Sequence, residues 1–380
     1  MKLGLAKYLG VSEESIHLYW KGRVGLYAIL RSMGITQGDE VIIPAFTCVV
    51  VANAIIYCGA KPVYVDVLPE SFHFNPDALR SAVSERTKLI IAQNTFGIPP
   101  DYDTLEALCK DLDISCIEDC THGLGTLYKG ERLPPDFVKA SFYSFQWNKP
   151  LSAGLGGLVY CRDQKLNAKL IGINKDLISP SLKTRVFLSL LLKIRPIVDY
   201  PVFYWPLLRT YRLLSRLGLV VGSSSGEEIS GIEMPKDFFM GMAKVQAQTI
   251  TNKIGDLDEL IMKRKAQFDK YAEVLQQSPK LPPGHSALKF PVLVSDKLRF
   301  EEKAERAGVK LGDWMCSPIH PVKENWEKWH YEKGQATVAE WVSRHILNLQ
   351  TDLSDAEMKR TIAFLKDNRS DILDWSQSNP

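Results

Sequence analysis

The 380-residue sequence predicts an α/β fold, with a mostly parallel central sheet flanked by helices and a smaller C-terminal α+β domain. Two observations carry this. Short β-rich runs alternate with helical patterns through the first half, which is how βαβ units and a buried parallel sheet read. From Met242 to about Leu275 the apolar spacing is helical over several turns, as a connector into a second domain would be. The boundary falls at 245/246, giving a large domain over 1–245 and a small one over 246–380.

In chain order, Lys21-Gly22-Arg23-Val24-Gly25 opens a helical pattern over 26–33. Strands are expected at 41–43, 62–65, 88–91, 114–117, 140–145 and 157–161. Helices are expected between them at 47–57, 76–83 and 102–112, several after an Asp, Asn or Ser able to accept the first free N–H groups. Residues 178–226 differ in texture, being rich in Leu, Arg and Tyr, and read as an insertion or flap.

Lys and Arg number 47 against 44 Asp and Glu, and this net charge of +3 is too small and dispersed for a nucleic-acid footprint. The seven cysteines show neither CxxC pairs nor clustered spacing, so they read as reduced thiols of a cytoplasmic protein with no metal site. The first fifteen residues meet polar groups too soon for a signal peptide. The apolar run 186–192 falls far short of the ~20 residues a membrane-spanning helix needs.

Three places carry chemistry. The run IEDCTHG (117–123) sets Asp119 at the end of a predicted strand, where an open α/β sheet presents its ligand-binding groups. YSFQWNKP (143–150) follows another strand, and GLGG (154–157) leads into the next, so Lys149 lies on a tight loop beside the sheet. Gly22, Arg23 and Val24 begin a helix whose free N–H groups and dipole favour an anion, with Arg23 adding charge. Singly, each has a commoner reading: a solvated lysine, a helix cap, a shaped turn. Together they are an amine, a carboxylate and a phosphate cradle, which pyridoxal-phosphate (PLP) chemistry requires.

The order of the motifs is more specific than any one of them. Gly22-Arg23, GDEVIIPAFTC (38–48), GAKPVYVDV (59–67), IEDCTHG, YSFQWNKP and GLGG together resemble the DegT/StrS family of PLP-dependent sugar aminotransferases, closely over residues 20–165 and loosely beyond. The resemblance implies fold type I and a homodimer with active sites at the subunit interface. It makes Lys149 the Schiff-base lysine and proton carrier, and Asp119 the partner of the ring nitrogen. His122 takes the place of the usual glutamine near the ring's phenolic oxygen, and Ser144 joins Gly22, Arg23 and Val24 around the phosphate. Departures are Cys48, where many members stack an aromatic ring, and Arg23, where members carry Ser or Thr. Phe239 and Gly241 stand where members often have an asparagine and an arginine reaching across the dimer. His320 falls where members bring a C-terminal loop toward the site, although an isolated histidine is more often structural. Trp326, Trp329 and Trp341 read as core or interface packing.

The implied reaction moves an amino group from L-glutamate to a keto or aldehyde carbon of a sugar, nucleotide-linked, in surface-polysaccharide or amino-sugar biosynthesis. The alternatives are a PLP-dependent sugar dehydratase, which in this family replaces the lysine by histidine, and a PLP-binding sensor or scaffold without turnover. Over 183–218 the basic residues Lys183, Arg185, Lys193, Arg195, Arg209, Arg212 and Arg216 interleave with apolar ones, the composition of a helical flap able to touch a membrane surface. Pro196, Pro201 and Pro206 break that stretch and favour an apolar face packed on the protein. Arg209 and Arg212 are candidates for the substrate's phosphates, replacing the missing cross-subunit pair.

Overall fold

The computed structural model describes residues 2–198, Thr210 and 226–375. Helix α1 (Leu3–Leu9) is followed by strand β1 (Ile16–Tyr19), α2 (Gly22–Met33), β2 (Glu40–Pro44), β3 (Thr47–Cys48), α3 (Val49–Ile56) and β4 (Lys61–Val65). Then come α4 (Pro76–Ala82), β5 (Thr87–Gln93), α5 (Tyr102–Leu112), β6 (Ser115–Asp119), β7 (Val138–Ser144), β8 (Gly157–Cys161), α6 (Gln164–Ile173) and α7 (Leu182–Val198). Asn75, Asp101 and Asp163 accept hydrogen bonds from the first-turn N–H groups of α4, α5 and α6, as their positions before apolar runs predict.

Seven strands form one sheet in the order β1-β8-β7-β6-β5-β2-β4. From β4 through β7 every pairing is parallel, and β8 and β1 add antiparallel strands at one edge. Every residue of β2 and β8 is buried, because helices cover both faces. β1 was not expected. Its four residues include a histidine and carry little strand signal alone, and they are extended because Tyr19 to Ile16 pair in register with Gly157 to Tyr160.

Two expected helices differ at their ends. The helix expected over 47–57 begins only at Val49, since Thr47 and Cys48 are drawn into a parallel pairing with a distant strand. The connector is two helices, Lys244–Lys253 and Leu257–Leu275, joined by a tight 3-10 turn at Ile254–Asp256. Beyond them lie β9 (Lys289–Leu293), β10 (Leu311–Gly312), β11 (Ile319–His320) and β12 (Ile346–Gln350). β10, β12 and β9 form an antiparallel sheet, packed through Phe290, Val292 and Leu349 on Phe268, Tyr271 and Leu275 of the long helix. β11 pairs instead with β3.

The main core joins both halves. Trp329 is buried against it, donates its indole N–H to Asn53 (2.7 Å) and accepts from the Tyr64 hydroxyl at its carbonyl (2.9 Å). Removing its 150–250 Å² from water is worth roughly 4–6 kcal/mol. This tryptophan is core, as the sequence suggests.

The expectation that the flap packs an apolar face on the protein holds only in part. Leu188 of α7 is buried with Trp20, Met240 and Ala243, whereas Leu182, Val186, Phe187, Leu190 and Ile194 are exposed. Apolar residues are distributed around the whole helix, and at 3.6 residues per turn only one stripe can face the neighbour. Arg209, Arg212 and the remainder of the basic stretch beyond α7 lie outside the described residues. Among the described residues no helix is long and apolar enough to cross a membrane.

Candidate active site

The carboxyl ends of β2, β5, β6 and β7 open on one edge of the sheet, and the chemistry-bearing residues gather there. Asp119 ends β6. Beside it, Glu118 is fully buried and accepts from Asn94 (2.6 Å), Ser141 (3.1 Å) and the Tyr102 hydroxyl, which anchors the strand end. Asp119 accepts from the Thr121 N–H at 2.8 Å. Burial raises its carboxyl to about 6, against the opposing pull of that N–H and of Lys149.

Lys149 lies on the loop after β7. Asn148 takes a left-handed conformation (φ 64°), which asparagine tolerates, and Gly154 and Gly156 (φ 79° and 147°) turn the chain into β8. The Lys149 amine is 4.9 Å from the centre of the Trp314 ring. Loss of solvent lowers it to about 8, Asp119 and Cys48 pull it back up, and Arg23 pushes it further down.

His122 is buried and stacked on Trp314, with ring centres 4.5 Å apart and planes 11° apart. Its Nδ1 accepts from the Phe96 N–H at 3.2 Å. Burial and the nearby Lys149, Lys289 and His320 hold it well below its usual value, so the ring is neutral with its proton on Nε2.

At the other end of the site, α2 starts without a side-chain cap. A Cβ on Gly22 would meet the Tyr143 carbonyl at 2.9 Å and the Ser144 Cβ at 3.2 Å, so only glycine lets the helix start lie against the end of β7. Val24 is core, and its N–H is bonded to the Lys21 carbonyl (3.2 Å). Arg23 is not an isolated cation. Its Nη1 lies 2.6 Å from Glu228, and both side chains are buried.

The structure therefore brings Asp119, His122, Lys149, Cys48 and His320 to one place, with Gly22 and Ser144 beside them. His320 opposes Cys48 in the β3–β11 pairing and faces Cys316 through Nδ1 (Sγ at 3.3 Å). That pairing places its ring among the charged neighbours of Lys149. Sequence reasoning missed Trp314, Glu228, Lys289 and Arg264. A lysine heading the otherwise apolar run KFPVL was the available signal for Lys289.

An amine depressed toward neutrality, a carboxylate at a strand end and an uncapped helix start beside a serine fit PLP: the lysine for its aldehyde, the carboxylate for its ring nitrogen and the helix start for its phosphate. Residues 4–185 match the profile of the DegT/DnrJ/EryC1/StrS aminotransferase family. GDP-perosamine synthase of Vibrio cholerae is 36% identical over 138 residues, 36% of this chain and 37% of that protein. UDP-2-acetamido-2-deoxy-3-oxo-D-glucuronate aminotransferase of Pseudomonas aeruginosa is 36% identical over 146 residues, 38% of this chain and 40% of that protein. The alignments thus span about two fifths of these relatives' length. A DegT/DnrJ/EryC1/StrS aminotransferase structure from Brucella abortus shares the fold over 96% of this chain and 88% of its own, with a TM-score of 0.73 and 21% identity.

Proposed function

We propose that this chain is a PLP-dependent aminotransferase that moves an amino group from L-glutamate to a keto or aldehyde carbon of a nucleotide-linked sugar, in the biosynthesis of surface polysaccharide or amino sugars. The observation that carries this is the Lys149 amine, held near 8, with the buried Asp119 carboxyl as its electrostatic partner at the ends of adjacent strands. PLP, when bound, supplies an aldehyde that condenses with amines and a protonated ring that takes up an electron pair.

The residues supply the rest. A lysine near 8 is unprotonated often enough at neutral pH to act as a nucleophile, and later to carry a proton. Asp119 would accept the ring N–H and keep it protonated. The neutral His122, with Nδ1 already occupied, can only donate through Nε2, which suits a phenolic oxygen. Ser144 and the first turn of α2 would hold the phosphate. The names of the relatives support a nucleotide-linked sugar as acceptor. Lys149 speaks against a dehydratase of the histidine-bearing kind.

On this reading the large domain (1–245) holds the cofactor, the small domain (246–380) closes over it, and two copies form a homodimer. The exposed row on α7 is surface that a second copy could cover, and a weak membrane contact through 183–218 is the competing use. Light scattering expects twice the chain mass. Sedimentation with anionic vesicles at low salt tests the competitor, and no binding ends it.

The test of the activity is to load the protein with PLP, reduce with borohydride and map the adduct, then add L-glutamate to an unreduced sample and follow the cofactor's visible absorbance. An adduct on Lys149 with bleaching by glutamate is expected. An adduct with no response to any amino donor would leave the sensor reading in its place.

A further inference from the structure

Lys289 opens β9 and is buried (5% exposed). Its amine lies 5.7 Å from the centre of the Trp314 ring, the same ring that Lys149 approaches at 4.9 Å and on which His122 stacks. It donates to the side chain of Gln350, its register partner on β12. Arg264, 4% exposed, donates from Nη1 to the carbonyl of Pro150, the residue after Lys149 (3.0 Å). Its Nη2 is 3.6 Å from Asp352, and its Nε has no hydrogen-bond partner.

The charges do not balance. Lys289 and Arg264 repel one another and share the Asp352 carboxylate, whose side chain is 42% exposed, and Lys149 adds a further cation. Asp119 acts on Lys149, and Asp313 on His320. Buried cations without full pairing are strongly disfavoured, and β9 would be served as well by an apolar residue. A negative group that arrives with a substrate would complete the cluster.

We propose that Lys289, with Arg264 behind it, is an oxyanion subsite of the active site, holding either a carboxylate of the amino donor or a phosphate of the nucleotide-linked acceptor. The proposal rests on the aminotransferase reading above. Lys289 is a binding residue in it, contributed by β9, and Arg264 adds positive charge behind it and fixes the loop at Pro150.

The test uses the PLP-loaded protein and calorimetric titration with glutarate, a dicarboxylate without an amine, and separately with UDP and GDP. Lys289→Met is expected to weaken one class by about tenfold or more and leave the other near wild type, and the class that weakens names the source. Lys289→Arg should retain binding. Should Lys289→Met fail to fold, the pair Lys289→Met with Gln350→Leu removes both members of the buried hydrogen bond and leaves nothing unpaired. Unchanged affinity for glutarate and for both nucleotides in the folded variant would overturn the proposal, as would wild-type protein that binds neither class. Cofactor capture at Lys149, measured on the same samples, reports separately on the aminotransferase reading.

Discussion

Cys48 and His320 oppose each other in a two-residue parallel pairing, and this ties the histidine of β11 to the loop that leaves β2. The Thr47 N–H donates to the Pro318 carbonyl at 3.0 Å, and the Thr47 hydroxyl to Gln93 at 2.6 Å, so the pairing is fastened to the end of β5 as well. The pairing thus holds His320 beside Cys48 at the end of the sheet that carries Lys149.

Burial, with Lys149, Lys297 and Lys323 nearby, pushes His320 down to about 4, against Asp313. The ring is neutral above that value, so any step that needs it neutral is lost only as pH falls toward 4. The kcat/KM profile should therefore show no histidine limb between about pH 5.5 and 7. His320→Ala should lower turnover about tenfold, the weight of one lost polar contact, with cofactor loading intact. A profile that loses its acid limb near pH 6.5 in the variant would contradict the assignment.

Lys149 offers a second pH signature. An ordinary lysine captures an aldehyde ever faster up to about pH 10.4. Here capture of PLP should rise with pH only to about 8 and then level, because the amine is fully unprotonated above that. Lys149→Ala should yield no borohydride adduct. Its melting temperature should stay within about 3 °C, since the substitution removes a desolvated cation on a loop. Stopped-flow absorbance and mass mapping decide both points.

The central sheet was legible because β2, β4, β5, β6, β7 and β8 are short, β-rich and mostly buried runs, so each strand signals its own burial. Asp119 and Lys149 were legible for a related reason, as one ends such a run and the other lies on the short loop after one. β1 was not, because its extension depends on β8, and neither was the break before Val49, because it depends on β11. The place of Arg23 at a helix start suggests a phosphate ligand, whereas its guanidinium pairs with Glu228, 205 residues away. Trp314 and Arg264 likewise reach Lys149 through tertiary contacts of which local spacing carries no trace, whereas Lys289 is marked only by its place at the head of the apolar run KFPVL.

Asp119 should show stability traded for function. Its folded value near 6 is above the ~3.9 of an unfolded chain, so the fold favours the protonated form. The group's stability is fully present below about 4 and is lost as pH rises to about 6, a change of about 2–3 kcal/mol. Above pH 6, cofactor-free Asp119→Asn should therefore resist urea better than wild type by up to that amount. Once loaded, the same variant should turn over about 10²–10³-fold more slowly, because a ring not held protonated is a poor electron sink. Equal urea midpoints at pH 5 and pH 8 relative to wild type would contradict the electrostatic argument.

The Arg23–Glu228 pair separates structure from cofactor binding. Both side chains are nearly inaccessible, their atoms are 2.6 Å apart, and Lys21 stands 3.5 Å from the other carboxylate oxygen. Asn53 donates to the Glu228 carbonyl at 2.7 Å, so the helix Gly226–Ser230 is pinned to α2 and α3 together. Removing one partner leaves a buried charge poorly compensated, and Glu228→Gln should cost about 3–5 kcal/mol in urea unfolding. Removing both with Arg23→Met and Glu228→Leu should restore much of that loss, since apolar groups of similar volume replace the pair at little cost. If the phosphate rests on the first turn of α2 and on Ser144, the double variant should bind PLP within about threefold of wild type, while Ser144→Ala should weaken it about tenfold. A large loss of PLP affinity in the double variant, with Ser144→Ala unaffected, would return the phosphate to Arg23.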